Sequence, residues 1–285
     1  MEKIDFNKFI IIIDKPAGPT SFEVTDFVRK KFNLNKAAHA GTLDPEVTGV
    51  LPILLGRASK LLDYFIHRDK TYMGIMHFHE EINKKEVEDA IKLKFSGKIM
   101  QLPPVKSRVK RQVREREIKK FEIIEQDGKD FLFEVVCEAG TYIRKLVHDL
   151  GEELGIGAHM TELRRTNASI FNEKEAVTLY SLEEALEEHE KGNNEKIMKM
   201  IVPIEIITKV MPKISVKKEY LGRILHGSPI FNKMLEEHED FQSSQPIALF
   251  HDGNLLGVFM AEISSKSLEY FGDERLIAVP RTIFN

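Results

Sequence analysis

One carboxylate in this chain stands where chemistry could be done. Asp44 lies in the run AHAGTLDP at residues 38–45, with Gly41 before it, Pro45 after it and His39 five residues upstream. Glycine and proline permit or impose special backbone torsions, so the run predicts a loop that holds Asp44 in a fixed direction. The plainer reading is a local turn or capping aspartate, the common use of Asp in such company.

Other candidates are fewer. His77 and His79 stand two apart on an expected strand and share one face, but a pair without a third ligand is more often structural than a metal site. The single cysteine, Cys137, excludes an internal disulfide framework and a multi-cysteine zinc site and fits a reducing, cytoplasmic setting. There is no GxGxxG fingerprint and no P-loop, which argues against a dinucleotide or nucleoside triphosphate cofactor. No apolar stretch is long enough for a membrane span, and the first residues lack the form of a signal peptide. The formal net charge of −3 gives no hint of a nucleic-acid partner, but the distribution does. RVKRQVREREIKK at residues 108–120 is strongly basic, whereas EEALEEHE at residues 183–190 is acidic. Taken alone, the basic run reads as a solvated face.

The elements that must position these residues follow from periodicity. An apolar run at residues 9–13 predicts a strand; Thr20 with Glu23 forms a capping-box pattern opening a helix over residues 21–32. Strands are expected at residues 50–55 and 70–78, a short helix between them, and a helix from Asn83 to Phe95. FLFEVVC at residues 131–137 is continuous enough to predict a strand buried on both faces. A helix starts near Tyr142, placing Arg144 in its first turn, where it can point back toward the end of the sheet. From Lys213 the composition changes to short strands and turns, including an Asp252-Gly253-Asn254 hairpin signal. The fold class is therefore α+β, with a large domain at residues 1–212 and a small, mainly β domain at 213–285.

Several ordered segments resemble the TruB/dyskerin pseudouridine synthases. They are IDKPAGPTSFEV at residues 13–24, AHAGTLDP at 38–45, VTGVLPILLGRASKLL at 47–62, KTYMGIMHFH at 70–79, GKIMQLPPVKSRVK at 97–110, GTYIRKLVHDLGEELG at 140–155 and AHMTELRRT at 158–166. The resemblance covers nearly the whole chain, and the wording is closer to the archaeal and eukaryal branch, whose catalytic domain is followed by a PUA domain. It implies an α+β catalytic domain with a mixed, largely antiparallel sheet, a C-terminal mainly β PUA domain, and no cofactor and no metal. Ala38 departs from the glycine usual before His39. The DKP motif already begins at Asp14, whereas guide-dependent members carry a longer N-terminal extension.

The resemblance also implies roles. Asp44 would be the catalytic aspartate for breaking the C1′–N1 bond of a uridine and rejoining the base through C5. Arg144 would pair with it. Tyr72 would stack on the target base, Leu163 would wall the base pocket, and His39 would fill the space left by an extruded nucleotide. Lys15 and Pro16 would be structural residues under the active loop. Arg108, Lys110, Arg111, Arg114, Arg164 and Arg165 would meet RNA phosphates. The implied partners are tRNA, through its T-loop uridine, and, as the catalytic subunit of an archaeal H/ACA complex, a guide RNA with small accessory proteins. The archaeal wording favours the complex, the short N-terminus independent action, and a protein capable of both combines them. A reading from another class is an RNA-binding scaffold of a guide-RNA particle that has lost catalysis.

Overall fold

The computed structural model describes residues 4–103 and 110–284. The chain divides into two compact units after Ile201, ahead of the composition change at Lys213.

In the first unit, β1 (Phe9–Lys15) pairs antiparallel with β3 (Thr48–Leu55), from Ile10↔Leu54 to Lys15↔Gly49. Ile10 to Ile13 are all fully buried, as a continuous apolar run requires of a strand covered on both faces. Between these strands come α1 (Ser21–Lys31) and the short β2 (Ala37–His39). The capping box forms at the start of α1: Glu23 N–H donates to Thr20 Oγ1 and Thr20 N–H donates to the Glu23 carboxylate at 2.7 Å. Val24 and Val28 of α1 then pack on Ile11, Ile13, Leu51 and Ile53.

After the short α2 (Leu62–Ile66), β4 (Lys70–Phe78), α3 (Lys84–Lys94), β5 (Gly97–Gln101), β6 (Arg114–Asp127), β7 (Asp130–Cys137), α4 (Ile143–Glu153), β8 (Ala158–Ala168) and β9 (Phe171–Asn172) follow. α5 (Leu179–Glu190), which packs on the α1 side, and α6 (Glu195–Met200) complete the helices, and β10 (Ile201–Pro203) lies at the division. The sheet runs β1-β3-β8-β4-β7-β6-β5, with β2 attached to β3 and β9 to β8. Its pairs are antiparallel except β3–β8, so the sheet is mixed and largely antiparallel as expected.

One expectation fails. In β7 burial alternates: Phe131, Phe133, Val135 and Cys137 are buried, whereas Leu132, Glu134 and Val136 are only half-buried. Only one face of this region meets the core formed with α3 and α4, which is the pattern of an antiparallel sheet with one solvated side.

In the second unit, β11 (Lys213–Val216), α7 (Leu221–Leu225), β12 (Ile230–Phe231), β13 (Leu235–His238), β14 (Pro246–His251), β15 (Asn254–Ala261) and β16 (Leu276–Ile283) form a sheet of order β12-β16-β15-β14-β11-β13. Asp252 and Gly253, both at positive φ, turn the β14–β15 hairpin, the torsions that a two-residue loop matching strand twist needs.

Gly74 in β4 is a tight point of the first core. A Cβ there would lie 2.6 Å from Phe133 Cζ, 2.9 Å from the Glu162 carbonyl oxygen and 2.9 Å from Leu163 Cδ1. The backbone contact cannot be relieved by a rotamer change. Gly74→Ala is expected to cost about 1–3 kcal/mol, read as a melting temperature lowered by about 2–4 °C for each kcal/mol. An unchanged melting temperature would show that β8 yields freely.

Candidate active site

Asp44 sits where the sheet forks. One edge of β3 is occupied by β1, while the other is shared between β2, paired from Ala37↔Leu55 to His39↔Ile53, and β8, paired at Thr48↔Arg164 and Gly49↔Arg165. Residues 40–47 leave the sheet at this change of partner, so their backbone groups need partners from elsewhere.

Side chains supply them. Lys15, wholly buried, donates its ammonium hydrogens to the carbonyls of Pro16, Pro45 and Val47 at 2.7, 2.9 and 3.0 Å. Arg165, only 1% exposed, donates from Nε to Val50 O at 2.8 Å and from a terminal nitrogen to Gly41 O at 2.9 Å. Ser21 Oγ accepts from Leu43 N–H and donates to Leu43 O, tying the start of α1 to the residue before Asp44. Gly41 has φ +109°, a torsion that L side chains rarely adopt, and the Arg165 guanidinium lies 3.3 Å from where its Cβ would be.

Arg144 reaches Asp44 from the far side. Buried Gln101 of β5 fixes the N-terminus of α4, donating to Tyr142 O at 3.0 Å and accepting from Tyr142 N–H at 2.9 Å. From this anchored first turn the Arg144 guanidinium donates to Asp44 Oδ2 at 2.7 Å and to Glu46 Oε2 at 3.4 Å. Both side chains of the Asp44–Arg144 pair are more than half exposed, so the pair adds little to stability; its effect is to aim a carboxylate at open solvent.

His39 bonds on both sides of its ring. Thr25 Oγ1 already donates its one hydrogen to Ser21 O at 2.6 Å, so its contact of 2.9 Å with His39 Nδ1 has the imidazole donating; Nε2 is then free to accept from Thr42 Oγ1 at 3.2 Å. Burial, with the Arg165 charge adding to it, pushes the His39 pKa down and favours this neutral ring. Tyr72 lies on β4 opposite Arg165, packed in the core with Leu43 and Val47. Burial raises its pKa and keeps it a phenol. Leu163, opposite Gly74, packs at the edge of the same core. Lys70, also buried, donates to the carbonyls of Ile66 and Arg68, and burial followed by the neighbouring Arg165 charge brings its pKa down to about 8.

The expected phosphate contacts divide. Arg165 is corrected: successive residues of a strand face opposite ways, and Arg165 faces inward, where its guanidinium holds backbone carbonyls out of reach of RNA. Arg164 faces outward but is held bidentately by Asp14 at 2.8 and 3.2 Å and by Glu173 at 3.0 Å. Lys110 and Arg111 are exposed and Arg114 opens β6, while Arg108 lies outside the described residues. Glu46, Ser21, Thr25, Gln101 and Lys70 were missed as parts of the site. Glu46, two positions after Asp44, is the one whose spacing could have signalled it; the others depend on long-range placement. Among the described residues, no group of three or more His, Cys, Asp or Glu side chains is arranged to hold a metal ion.

Comparison with known proteins gives a consistent picture. Residues 29–143 match the TruB family pseudouridylate synthase N-terminal domain and residues 144–209 the tRNA pseudouridylate synthase B C-terminal domain. A probable tRNA pseudouridine synthase B of Methanococcus maripaludis is 39% identical over 280 residues, covering 97% of this chain and 84% of the relative. One of Methanopyrus kandleri is 47% identical over 222 residues, covering 78% of this chain; the chain thus spans 65% of that relative's length. A crystal structure of a Cbf5-Nop10-Gar1 complex matches with a TM-score of 0.88 at 34% identity, covering 98% of this chain and 86% of that chain. An H/ACA RNP bound to a substrate RNA containing 2′-deoxyuridine matches with a TM-score of 0.88 at 32% identity, covering 98% and 86%.

Lys70 supplies a pH test. Its pKa is depressed from 10.5 to about 8, so between these values the unfolded chain binds a proton that the folded one has released. Stability from this group therefore rises with pH across that window and is flat below it. Relative to Lys70→Met, the wild-type protein is expected to gain melting temperature from pH 8 to pH 10. Parallel curves for the two proteins would show that Lys70 keeps its ordinary pKa.

Proposed function

The chain belongs to the TruB family of pseudouridylate synthases, and from that premise we propose that it isomerises uridine to pseudouridine in structured RNA with Asp44 as its catalytic carboxylate. The observation that carries this reading is the 2.7 Å contact between Arg144 and Asp44, two residues a hundred positions apart, at an open fork of the sheet.

The reaction breaks the C1′–N1 bond, turns the freed uracil and forms the C1′–C5 bond; the hydrogen on C5 leaves and N1 gains one. No electrons are gained or lost overall, and one fixed carboxylate beside the ribose, not a redox group, is what the rearrangement asks for. Arg144 holds the carboxylate's direction through Oδ2 of an exposed side chain, which leaves Oδ1 for the substrate. Tyr72, kept a neutral phenol by burial, suits stacking on the base and hydrogen bonding rather than acting as a resting-state base. Leu163 gives the base an apolar wall. His39, neutral and tied between Thr25 and Thr42, offers a flat ring to the place an extruded uridine vacates. Lys15 and Pro16 hold the loop from beneath.

The RNA substrates we propose are tRNA, at its T-loop uridine, and guide-directed sites within an archaeal H/ACA particle with small accessory proteins. The names of the relatives support the first, and the matched complexes support the second. The small C-terminal domain is proposed to be a PUA-type RNA-binding domain, supported by a structural match that covers 98% of the chain and so continues past residue 209, where the family match ends. The proposed setting is the cytoplasm; no helix among the described residues is long and apolar enough to cross a membrane.

The test is pseudouridine formation on an unmodified tRNA transcript, with and without guide RNA and accessory proteins. Asp44→Ala is expected to give no product in any arm, and Arg144→Gln to lower kcat by about 100-fold, the scale of a misdirected group. Activity from the protein alone makes it a stand-alone tRNA enzyme, whereas activity only with the guide makes it an H/ACA subunit. Inactive wild type that still binds RNA in every arm would favour the scaffold reading. For the exposed basic segment, Arg111→Glu should weaken RNA binding and reduce the magnitude of the slope of log affinity against log salt by about 1. Unchanged affinity would remove Arg111 from the interface.

A further inference from the structure

In the fold, His159 comes beside His77 and His79, and it is His79 and His159 whose ring nitrogens meet. His77 on β4 stands opposite His159 on β8, and beyond the strand end His79 turns its Nε2 to within 3.1 Å of His159 Nδ1. The ring centroids of His77 and His79 both lie 5.3 Å from that of His159. His79 and His159 are exposed, while His77 is set back and engaged through Nδ1 by Asp130 at 2.7 Å.

We propose that His79 and His159 form a cross-strand two-histidine site for a divalent transition-metal ion of the zinc class. Two imidazole nitrogens bound at about 2.0–2.1 Å to one ion and 3.1 Å apart subtend an angle of about 98° at the metal, open to tetrahedral coordination. Water completes the shell on the solvent side. Neutral imidazole suits Zn(II), Ni(II) and Cu(II) and does not suit Mg(II) or Ca(II), so a discriminating ligand class follows. The proton now between the two nitrogens moves to the far nitrogen of its own ring, leaving both lone pairs for the metal with no net change in protonation. The platform is held in place: His79 N–H donates to Gly157 O at 3.1 Å, and Lys129 donates to His79 O at 2.9 Å.

The ion would staple β4 to β8, the two strands that carry Tyr72, Leu163 and Arg165. Along β4, His79 is seven positions from Tyr72, about 23 Å at strand rise, so the staple lies away from the chemistry.

The experiment is zinc titration of the metal-stripped full chain by calorimetry and thermal unfolding, with magnesium as control, on wild type, His79→Gln, His159→Gln and His77→Gln. The wild type is expected to bind one zinc ion per chain; at a hundred times Kd the folded state should be favoured about 100-fold. His79→Gln and His159→Gln should each lose more than about 100-fold in affinity, beyond the roughly 10–100-fold that loss of a supporting partner of a ligand costs. His77→Gln should change affinity by less than threefold, and pseudouridine formation should be equal in all four proteins. No zinc binding by the wild type, binding undiminished in His79→Gln or His159→Gln, or an equal loss in His77→Gln would each overturn the assignment.

Discussion

A loop that leaves a sheet takes its carbonyl oxygens away from their strand partners, and here two buried cations make up the deficit. Lys15 gathers three carbonyls and Arg165 two, and between them they fix residues 41–50 from below. A buried charge without partners would be destabilising by several kcal/mol. The loop therefore has little freedom to move without exposing an unsatisfied cation, which is the physical reason that Asp44, though exposed, keeps one direction. Lys15 in turn loses basicity through burial and regains part of it from the charges of Asp44 and Glu46 above it.

The rest of the site answers to this support. β8 carries Arg165 inward because it pairs in parallel with β3 at Gly49, and the same register puts Arg165 beside Tyr72 and Leu163 beside Gly74 on β4. α4 reaches the loop from the other side because Gln101 closes its first turn. Orientation of the carboxylate thus rests on two independent anchors, one beneath the loop and one at the helix start.

Local signals were legible where local physics decides. The capping box at Thr20 and the Asp252-Gly253 turn are each fixed by contacts within a few residues, and each forms as read. The strand at residues 131–137 was misread because a continuous run of apolar residues does not say how many faces a sheet will have covered. Arg164 and Arg165 looked alike as adjacent basic residues. Strand alternation sends one into a carboxylate pair at the surface and the other into the core, and no local pattern separates them.

By itself, the sequence determined the class of fold and singled out Asp44 and its candidate partners, because residue types and ordered motifs are local properties of the chain. Only the tertiary structure decided which cations face outward and which hold the loop, that Glu46 shares Arg144 with Asp44, and that His159 joins His77 and His79. Those facts depend on strand register and on which edge of β3 each neighbour takes. Register is a global outcome of packing, since a slip of one residue exchanges the buried and exposed faces of an entire strand.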